Sequence, residues 1–410
     1  MTGWEKHKLV DLTIDGKGHY GIAAPAIDYD EKKFTYLRIT DINDDGTLNI
    51  SGLKSVADPD SRKYLLKEGD IVFARTGNST GRSYYYEPSD GEFVYAGFLI
   101  KFSLDPKKVN PRFLKYYTHS RPYYDWVKSF DTGATRGNIN AQTFGAMEIK
   151  LPPRSVQDRL VEILSSIDHK IALNNRINHN LEEQAQALYK SWFVDYEPFK
   201  DGGLSDSELG SIPVGWSIQS LDSLCSIISR GFSPSYNDNS EDLVLGQRCV
   251  RNNLIDTSLA RRHNPKNLGE RQLKKWDILI NSTGMGSLGR VAQLFFDPKK
   301  LTFDSHLTLV RTKKDCYKQF VGRNLLARQD EIENMAVGST GQTELPRDRV
   351  RAMSVICPPE QVMRSFGDVI EALSNTIQSN IEMNESLSRE RDELLPKLMS
   401  GVFDLTTSPN

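Results

Sequence analysis

Two glycine-rich turns carry the side chains that are best suited to bind a polar ligand. The first turn, 75–82, contains Arg75, Asn78 and Arg82, and the second, 281–290, is rich in hydroxyl and amide groups. An arginine can donate two parallel hydrogen bonds to guanine, and an asparagine or glutamine can bind adenine in the same way. Because such side chains can enter a groove from the tip of a loop, the turns predict contact with base edges.

The second turn also contains a GxGxxG motif, formed by Gly284, Gly286 and Gly289. A dinucleotide site requires this motif to open a helix whose N-terminus faces a pyrophosphate. Here the apolar segment 291–296 is predicted to be a strand, and turn 75–82 lacks the glycine spacing. Both turns are therefore predicted to be hairpin loops between strands, not nucleotide sites.

A third loop occurs in both halves of the chain, at 133–139 and 338–344. It is either a structural turn before the last strand of a domain or a further DNA contact, and the sequence leaves both interpretations open. The candidate DNA-binding residues of all these loops and of their basic surroundings are Arg75, Asn78, Arg82, Thr135, Arg136, Asn138, Arg248, Arg251, Asn281, Thr283, Arg290 and Gln342.

The formal net charge of −2 gives no indication of nucleic-acid binding, but the local charge balance does. Segment 248–290 contains nine Lys or Arg against three Asp or Glu, and segment 107–136 contains seven against two. A solvated charged face is one explanation of such a surplus. Because each half has its own basic stretch, two phosphate-contacting surfaces are favoured.

Aromatic residues are interleaved with the charges of segment 107–136. They are predicted mainly to form the buried faces of short helices, with base stacking as the alternative. These residues are Phe113, Tyr116, Tyr117, Tyr123, Tyr124, Trp126 and Phe130.

Motifs for catalysis are missing from the sequence. There is no GxxxxGK[ST] phosphate loop and no Asp/Asn-Pro-Pro-Tyr/Phe tetrapeptide of the kind that amino-methyltransferases use. The seven histidines show no metal-ligand spacing, and the four cysteines form no CxxC pair. We therefore expect no catalytic centre, metal or cofactor in this chain. The cysteine usage and the lack of a long apolar run predict a cytoplasmic protein without a membrane segment.

The chain repeats one helical pattern, which predicts two long helices. These helices must position the loops. A double proline at 152–153 precedes the first helix, and a second at 358–359, 206 residues later, precedes the other. Residues at heptad spacing form a seam in each helix and predict that the helices pair. The predicted pairing residues are Leu160, Ile167, Asn174, Asn178, Leu181, Leu188, Phe366, Leu373, Asn380, Asn384, Leu387 and Leu394.

Two asparagines interrupt each seam at matching positions near the middle of the helix. An antiparallel pairing would bring the four amides into one central layer, where they can satisfy each other. Alternatively, the asparagines face water or partner subunits, and Ile177 and Met383 take the buried positions. The four residues are Asn174, Asn178, Asn380 and Asn384.

The predicted fold class is α+β. Two tandem, related α/β domains are each followed by a long helix, and the helices pair as an antiparallel coiled coil with pseudo-two-fold symmetry. The predicted boundaries are 1–150 for the first domain, 151–197 for the first helix, 198–213 for a solvated linker, 214–356 for the second domain, 357–403 for the second helix and 404–410 for a tail.

Several segments together resemble one known family over nearly the whole chain. They are the strand-turn segments GDIVFARTG and WDILINSTG, the loop GATRGNIN, the helix start LPPRSVQDRLVEIL and the closing ELLPKLMSG. These segments resemble the specificity subunit of type I restriction-modification systems. The chain departs from the family pattern at Glu360-Gln361, which lie closer to the prolines, and at Arg391, which occupies a seam position.

This resemblance implies a protein with two target-recognition domains, each of which reads one half of a split site in double-stranded DNA. It implies two methyltransferase subunits and two motor-nuclease subunits as partners, with S-adenosylmethionine, ATP and Mg bound on those partners. The chain would then direct adenine methylation and restriction without catalysing either. Two alternatives remain: a self-contained DNA methyltransferase or nuclease, and a coiled-coil scaffold without a DNA role.

Overall fold

The computed structural model of the chain describes residues 3–130, 137–338 and 343–401. It contains two compact units, and each combines one α/β domain with one part of each long helix. Unit 1 comprises Met1–Ala172 and Glu385–Asn410, and unit 2 comprises Leu173–Asn384.

The described part of the first half consists of short strands followed by helices. Its strands are β1 (Glu5–Lys8), β2 (His19–Tyr20), β3 (Phe34–Leu37), β4 (Lys54–Val56), β5 (Asp70–Ala74), β6 (Ser83–Tyr85), β7 (Phe93–Tyr95), β8 (Leu99–Ser103) and β9 (Glu148–Leu151). Its α-helices are α1 (Pro111–Tyr117), α2 (Arg121–Lys128), α3 (Ala141–Gly145) and α4 (Arg154–Phe193). Its 3-10 helices are Leu9–Leu12, Ile39–Asp41, Ile50–Gly52, Ser61–Tyr64, Gly77–Ser79 and Pro88–Asp90.

The strands of the first domain form two sheets and one separate pair. The larger sheet is antiparallel, with the order β2-β8-β5-β6. In the smaller sheet β3 lies between β4 and β7 and is parallel to β7. Strand β1 pairs with β9. All five residues of β5 are buried, as is typical of a strand that is covered on both faces.

The second half, as far as it is described, has the same kinds of element. Its strands are β10 (Leu204–Ser207), β11 (Gly210–Pro213), β12 (Ser217–Ser220), β13 (Cys225–Arg230), β14 (Leu243–Leu245), β15 (Val250–Arg251), β16 (Leu254–Ile255), β17 (Arg261–Arg262), β18 (Ile278–Asn281), β19 (Val291–Gln293), β20 (Leu301–Phe303), β21 (Leu307–Thr312) and β22 (Ser354–Cys357). Its α-helices are α5 (Leu221–Leu224), α6 (Lys318–Ala327), α7 (Gln329–Asn334), α8 (Arg347–Arg351) and α9 (Glu360–Met399). Its 3-10 helices are Glu197–Gly202, Gln247–Cys249, Thr257–Leu259, Gly269–Arg271 and Asp315–Tyr317.

Sheet topology confirms the internal repeat. The second domain has the orders β13-β21-β18-β19, β17-β14-β20 and β12-β22, which match the first domain strand for strand, and it has one further antiparallel pair, β15 with β16. The parallel pair β14 and β20 corresponds to β3 and β7. Even a left-handed backbone position recurs before the central strand, at Gly69 with φ 87° and at Trp276 with φ 72°.

Both long helices close the core of unit 1. Leu160 and Leu164 of α4 and Leu395 and Leu398 of α9 lie in one buried cluster with the aromatic residues of the first domain. Removing either helix would expose this cluster to water, so the helices are part of the domain's hydrophobic core.

Unit 2 is closed in the same way by the other parts of the two helices. Ala185, Tyr189 and Phe193 of α4 share a buried cluster with Phe366 and Ile370 of α9. The Phe193 and Phe366 ring centroids are 4.7 Å apart. Since the end of α4 meets the start of α9, the two helices run antiparallel within this unit.

The seam position Arg391 is accommodated by an ion pair within unit 1. Its Nη1 lies 3.1 Å from Oδ1 of Asp168 on α4. Asp168 also accepts a hydrogen bond of 2.9 Å from the Tyr116 hydroxyl of the first domain. The heptad pattern alone predicts an apolar contact at this position. The arginine instead links α9 to α4 through Asp168, and Asp168 links both helices to the domain.

The twelve predicted pairing residues are all buried or half-buried. Among them are the four asparagines, which form hydrogen bonds across the helix pair in unit 2. Nδ2 of Asn174 donates to Oδ1 of Asn384 at 2.8 Å, and Nδ2 of Asn380 donates to Oδ1 of Asn178 at 2.8 Å. The amides thus pair across the helices in one layer, as an antiparallel pairing predicts, while Oδ1 of Asn174 is buried without a hydrogen-bond partner among the described residues.

The alternative burial of Ile177 and Met383 is not observed. These side chains are 37% and 42% exposed, whereas Asn174 is 1% exposed. The neighbouring Asn175, which the heptad pattern does not single out, accepts a hydrogen bond of 2.9 Å from Nδ2 of Asn384. The layer is therefore larger than the four seam residues.

The segment 198–213 differs from the predicted solvated linker. Strands β10 and β11 form an antiparallel hairpin in it, and Ile212 is buried in the core of unit 2. The abundance of glycines and acids conceals this element, because its two strands carry few apolar side chains.

We expect Asn178→Leu to lower the free energy of unfolding by about 1–3 kcal/mol, because it leaves the Asn380 amide without its partner. Replacing all four seam asparagines by leucine should instead raise the melting temperature, since no amide then remains unpaired. Denaturant and thermal unfolding monitored by circular dichroism measure both effects. The matched control is Asn180→Leu, at an exposed position of the same helix. Equal effects of Asn178→Leu and Asn180→Leu would contradict the layer.

Each helix ends beside the start of a domain. In unit 1 a Cβ atom on Gly401 would lie 3.1 Å from Nε1 of Trp4. In unit 2 the ring centroids of Phe193 and Trp216 are 5.9 Å apart. The end of α9 therefore reaches the first domain much as the end of α4 reaches the second.

A circular permutant should consequently fold. Joining Asn410 to Met1 by a short flexible linker and opening the chain between Glu208 and Leu209 cuts an exposed turn. We expect an unchanged circular dichroism spectrum and a melting temperature lowered by no more than about 5 °C. Opening the buried strand β18 between Leu279 and Ile280 is the control, which should unfold the second domain. A permutant as unstable as this control would refute the inferred geometry.

Candidate nucleic-acid interface

The first glycine-rich turn is a hairpin loop between β5 and β6. The backbone N–H of Gly81 donates to the carbonyl of Ala74 at 2.8 Å, and that of Ala74 donates to the carbonyl of Arg82 at 2.8 Å. Asn78 lies in the short 3-10 helix Gly77–Ser79 within the loop and is exposed. The prediction of a hairpin loop is confirmed.

A second predicted loop lies directly beside this hairpin. The N–H of Ile139 donates to the carbonyl of Arg75 at 2.9 Å, and the Thr80 hydroxyl donates to the carbonyl of Gly137 at 2.8 Å. Nη1 of Arg75 is 3.5 Å from Oδ1 of Asn138. The fold thus brings Arg75 and Asn138 together, while Thr135 and Arg136 lie outside the described residues.

The second domain repeats this arrangement. The N–H of Gly289 donates to the carbonyl of Asn281 at 2.9 Å, and that of Asn281 donates to the carbonyl of Arg290 at 2.8 Å. The N–H of Leu345 donates to the carbonyl of Ser282 at 2.8 Å, so the segment after 342 lies beside the hairpin. Strand β19 follows the GxGxxG motif, as predicted, and no helix opens there.

Thr283 lies among polar side chains beside the second hairpin. The Thr283 hydroxyl lies 2.7 Å from Nδ1 of His306 and 3.4 Å from Oε1 of Gln247. These polar side chains form one half-exposed group beside the hairpin. The predicted residue Gln342 lies outside the described residues.

Arg82 and Arg290 occupy equivalent positions but have different electrostatic surroundings. Nε of Arg82 is 2.7 Å from Oδ1 of Asp44, and its Nη1 donates to the carbonyl of Ile42 at 3.0 Å. Arg290 is exposed and donates only to the carbonyl of Gly286 at 2.7 Å. Within the described residues, Arg290 therefore keeps a charge that no carboxylate neutralises.

The basic stretch of the second domain is an open cationic surface. Seven of its nine cations are exposed, and none of the nine forms an ion pair with any residue in 3–130, 137–338 or 343–401. The Arg261 guanidinium stacks 3.4 Å from the ring centroid of Tyr236, and Lys266 lies 4.7 Å from that of Phe232. Uncompensated cations of this kind attract phosphate groups. The exposed cations are Arg248, Arg251, Arg261, Arg262, Lys266, Lys274 and Arg290.

The basic stretch of the first domain is largely neutralised. Arg112 lies 2.8 Å from a carboxylate oxygen of Glu87, and Lys115 lies 3.3 Å from Asp168. Lys108 and Arg121 are also paired with acids. Ion pairs thus involve four of the six cations of this stretch that the structure describes, whereas Arg136 lies outside the described residues.

The first 183 residues match the family model for the type I restriction modification DNA specificity domain. Over 98% of its length the chain is 21% identical to the entire specificity subunit of the type I restriction enzyme HindI from Haemophilus influenzae. The chain is thus similar to type I specificity subunits along nearly its whole length. It is also 24% identical to the MjaIX specificity subunit from Methanocaldococcus jannaschii, over 72% of this chain and 69% of that protein. Its fold resembles the S subunit from M. genitalium, with a TM-score of 0.56, 15% identity and 96% of each chain covered.

Asn281 is a correction to the predicted DNA contacts. Its side chain is fully buried, and its Nδ2 donates to the carbonyl of Gln247 at 2.9 Å. As the last residue of β18, Asn281 corresponds to the buried Ala74 at the end of β5. It supports the hairpin from inside and cannot reach a base from this position.

Four of the seven aromatic residues of segment 107–136 follow the predicted structural interpretation, whereas Tyr124 is exposed. Phe113, Tyr116, Tyr117 and Tyr123 are all buried. The Tyr123 hydroxyl donates to the carbonyl of Gly81 at 2.6 Å, and burial holds the pKa of Tyr123 well above its ordinary value. The phenol thus remains a protonated donor, and its hydrogen bond to Gly81 supports the hairpin loop.

Several exposed residues near the loops escaped the sequence analysis. Tyr20 and Phe98 flank Arg75, and His306 and Gln247 flank Thr283. None of them lies in a glycine-rich turn or a basic stretch. Aligning the two halves would have indicated His306, because it precedes β21 as Phe98 precedes β8.

In the part of the chain that the structure describes, no set of three His, Cys, Asp or Glu side chains could hold a metal ion. Burial raises the pKa of both Cys225 and Cys357 to about 12, so both remain thiols near neutral pH. Among the described helices, none is long and apolar enough to cross a membrane.

We expect Arg290→Gln to weaken binding to duplex DNA and to flatten the salt dependence by about 0.9 in the slope of log K against log salt. Arg82→Gln, its equivalent in the first domain, should change that slope less, because Asp44 already neutralises Arg82. Fluorescence anisotropy with the full chain at several salt concentrations measures both slopes. Equal changes in the two variants would contradict the assignment of the open cationic surface to the second domain.

Proposed function

We propose that this chain is the DNA-specificity subunit of a type I restriction-modification complex. Its two domains each read one half of a bipartite site in double-stranded DNA. The observation that carries this function is the strand-for-strand repeat, which gives each domain the same hairpin loop beside the same returning segment. Two equivalent readers in one chain are suited to a split target and have no evident use in a scaffold.

The chemistry is supplied by partner subunits in this proposal. Two methyltransferase subunits carry S-adenosylmethionine, and two motor-nuclease subunits carry ATP and Mg. The repeat supports two copies of each partner, because it provides each partner with two sets of equivalent elements. The chain itself directs adenine methylation and restriction and catalyses neither.

Co-expression with the cognate methyltransferase subunit, followed by genome-wide mapping of methylated adenines, tests this function. We expect a motif with two defined halves separated by an unspecified spacer. Exchanging residues 1–150 for those of a relative should change one half only. The purified chain alone, supplied with S-adenosylmethionine and Mg, is the control and should methylate nothing. A complex that forms but methylates no split motif would refute the function, and a chimera that changes both halves would refute the modular reading.

A further inference from the structure

Each domain has a set of equivalent positions around its hairpin loop, which we call the loop slot. Backbone pairing defines the equivalence. The N–H of Arg75 donates to the carbonyl of Phe98 at 3.1 Å, and the N–H of Ser282 donates to that of His306 at 2.8 Å. The remaining positions correspond through strand register. The slot consists of Tyr20, Arg75, Phe98 and Asn138 in the first domain and of Arg230, Ser282, His306 and Glu344 in the second.

A glycine fixes the backbone of both slots. A Cβ atom on Gly21 would lie 2.3 Å from the carbonyl oxygen of Ala96, and one on Gly231 would lie 2.2 Å from that of Asp304. Only glycine permits such a close approach. The residue before it, Tyr20 or Arg230, is therefore held in the same place in each domain.

In the first domain the slot encloses an arginine between two aromatic rings. Cζ of Arg75 lies 5.2 Å from the ring centroid of Tyr20 and 5.9 Å from that of Phe98. The Tyr20 hydroxyl accepts a hydrogen bond of 3.1 Å from the N–H of Ala141, which fixes its ring. The two rings thus restrict the guanidinium to a narrow range of orientations.

The aromatic rings and the guanidinium are not explained by packing alone. Tyr20 and Phe98 are 45% and 56% exposed, so they do not belong to the core. Arg75 forms no ion pair with any described residue, and its Nη1 lies 3.5 Å from Oδ1 of Asn138. An oriented guanidinium without a carboxylate partner retains free donors for a planar acceptor.

The second domain places different chemistry in the same slot. Arg230 is 2.9 Å from a carboxylate oxygen of Glu344 and donates to the carbonyl of Leu345 at 2.8 Å. Ser282 replaces the arginine and is buried. Here the guanidinium is already bound by groups of the protein, and His306 and Thr283 provide the exposed polar groups.

We propose that Tyr20 and Phe98 clamp Arg75 so that its guanidinium reads a guanine in one half of the DNA site. Two parallel N–H donors match O6 and N7 of guanine in the major groove. The clamp reduces the conformational entropy that the arginine loses on binding. The slot of the second domain has no free guanidinium and selects its base by other groups. This inference rests on the proposed function and assigns a specificity-determining contact within it.

Equilibrium binding by the full complex of this chain with its methyltransferase subunits tests the clamp. Duplexes carry either the methylated motif determined for the wild type or the same motif with one base pair of one half changed. In the wild type, changing the guanine read by Arg75 should weaken binding about 5- to 150-fold. Arg75→Ala should remove this discrimination at that position and leave the other half-site unaffected, which also shows that the variant is folded.

Variants of the two aromatic residues distinguish the clamp from a contact that depends only on the charge of Arg75. Tyr20→Leu and Phe98→Leu should each reduce the discrimination about 2- to 5-fold. Tyr29→Leu is the matched control, because Tyr29 is 55% exposed in the same domain but flanks no arginine. If Arg75→Ala weakens all duplexes alike, or if neither half-site contains a guanine, the clamp is refuted while the proposed function stands. If the wild type binds no split motif, both fail.

Discussion

The fold depends on the burial of helix side chains in the domain cores. In unit 1, Leu160 of α4 and Leu398 of α9 belong to the same cluster as the central strand of the first domain. In unit 2, Phe193 and Phe366 play the same part for the second domain. Because each domain needs both helices to exclude water from its core, neither helix acts as a detachable spacer. The hairpin loops are therefore positioned by the same packing that stabilises the chain.

The polar layer in unit 2 defines the register of the two helices, which apolar packing alone leaves undetermined. Apolar contacts between helices tolerate sliding, because leucines in neighbouring turns are nearly equivalent. The paired amides do not tolerate sliding, because any shift of one helix would bury unpaired amides. The pairs are Asn174 with Asn384 and Asn178 with Asn380. The asparagines thus add less to stability than leucines would, and they define the register of the helices.

The two domains show how one backbone can support different recognition. The hydrogen bonds that close each hairpin and attach the returning segment are the same in both. Differences lie in the partners of the cations. Arg82 forms an ion pair with Asp44, and Arg230 forms one with Glu344. Arg290, which is equivalent to Arg82, forms no ion pair among the described residues, and neither does Arg75. A single acid placed elsewhere in the chain therefore decides whether an arginine supports the protein or remains available to a ligand.

The sequence by itself determined the features that local pattern encodes. The repeat, the two long helices, the hairpin loops and the matched asparagines all follow from spacing along the chain, because heptad periodicity and turn composition report neighbouring residues. The strand after Gly289 was likewise visible, which excluded a dinucleotide site.

Only the tertiary structure decided which of the candidate side chains are available. Asn281 occupies a buried strand end, and Asp44 neutralises Arg82 from 38 residues away. Tyr20 lies on β2 and Phe98 in the turn before β8, and only the pairing of β2 and β5 with β8 brings them to Arg75. Charge and exposure at one position depend on residues that are distant in the chain, and no local pattern in a single sequence specifies those partners.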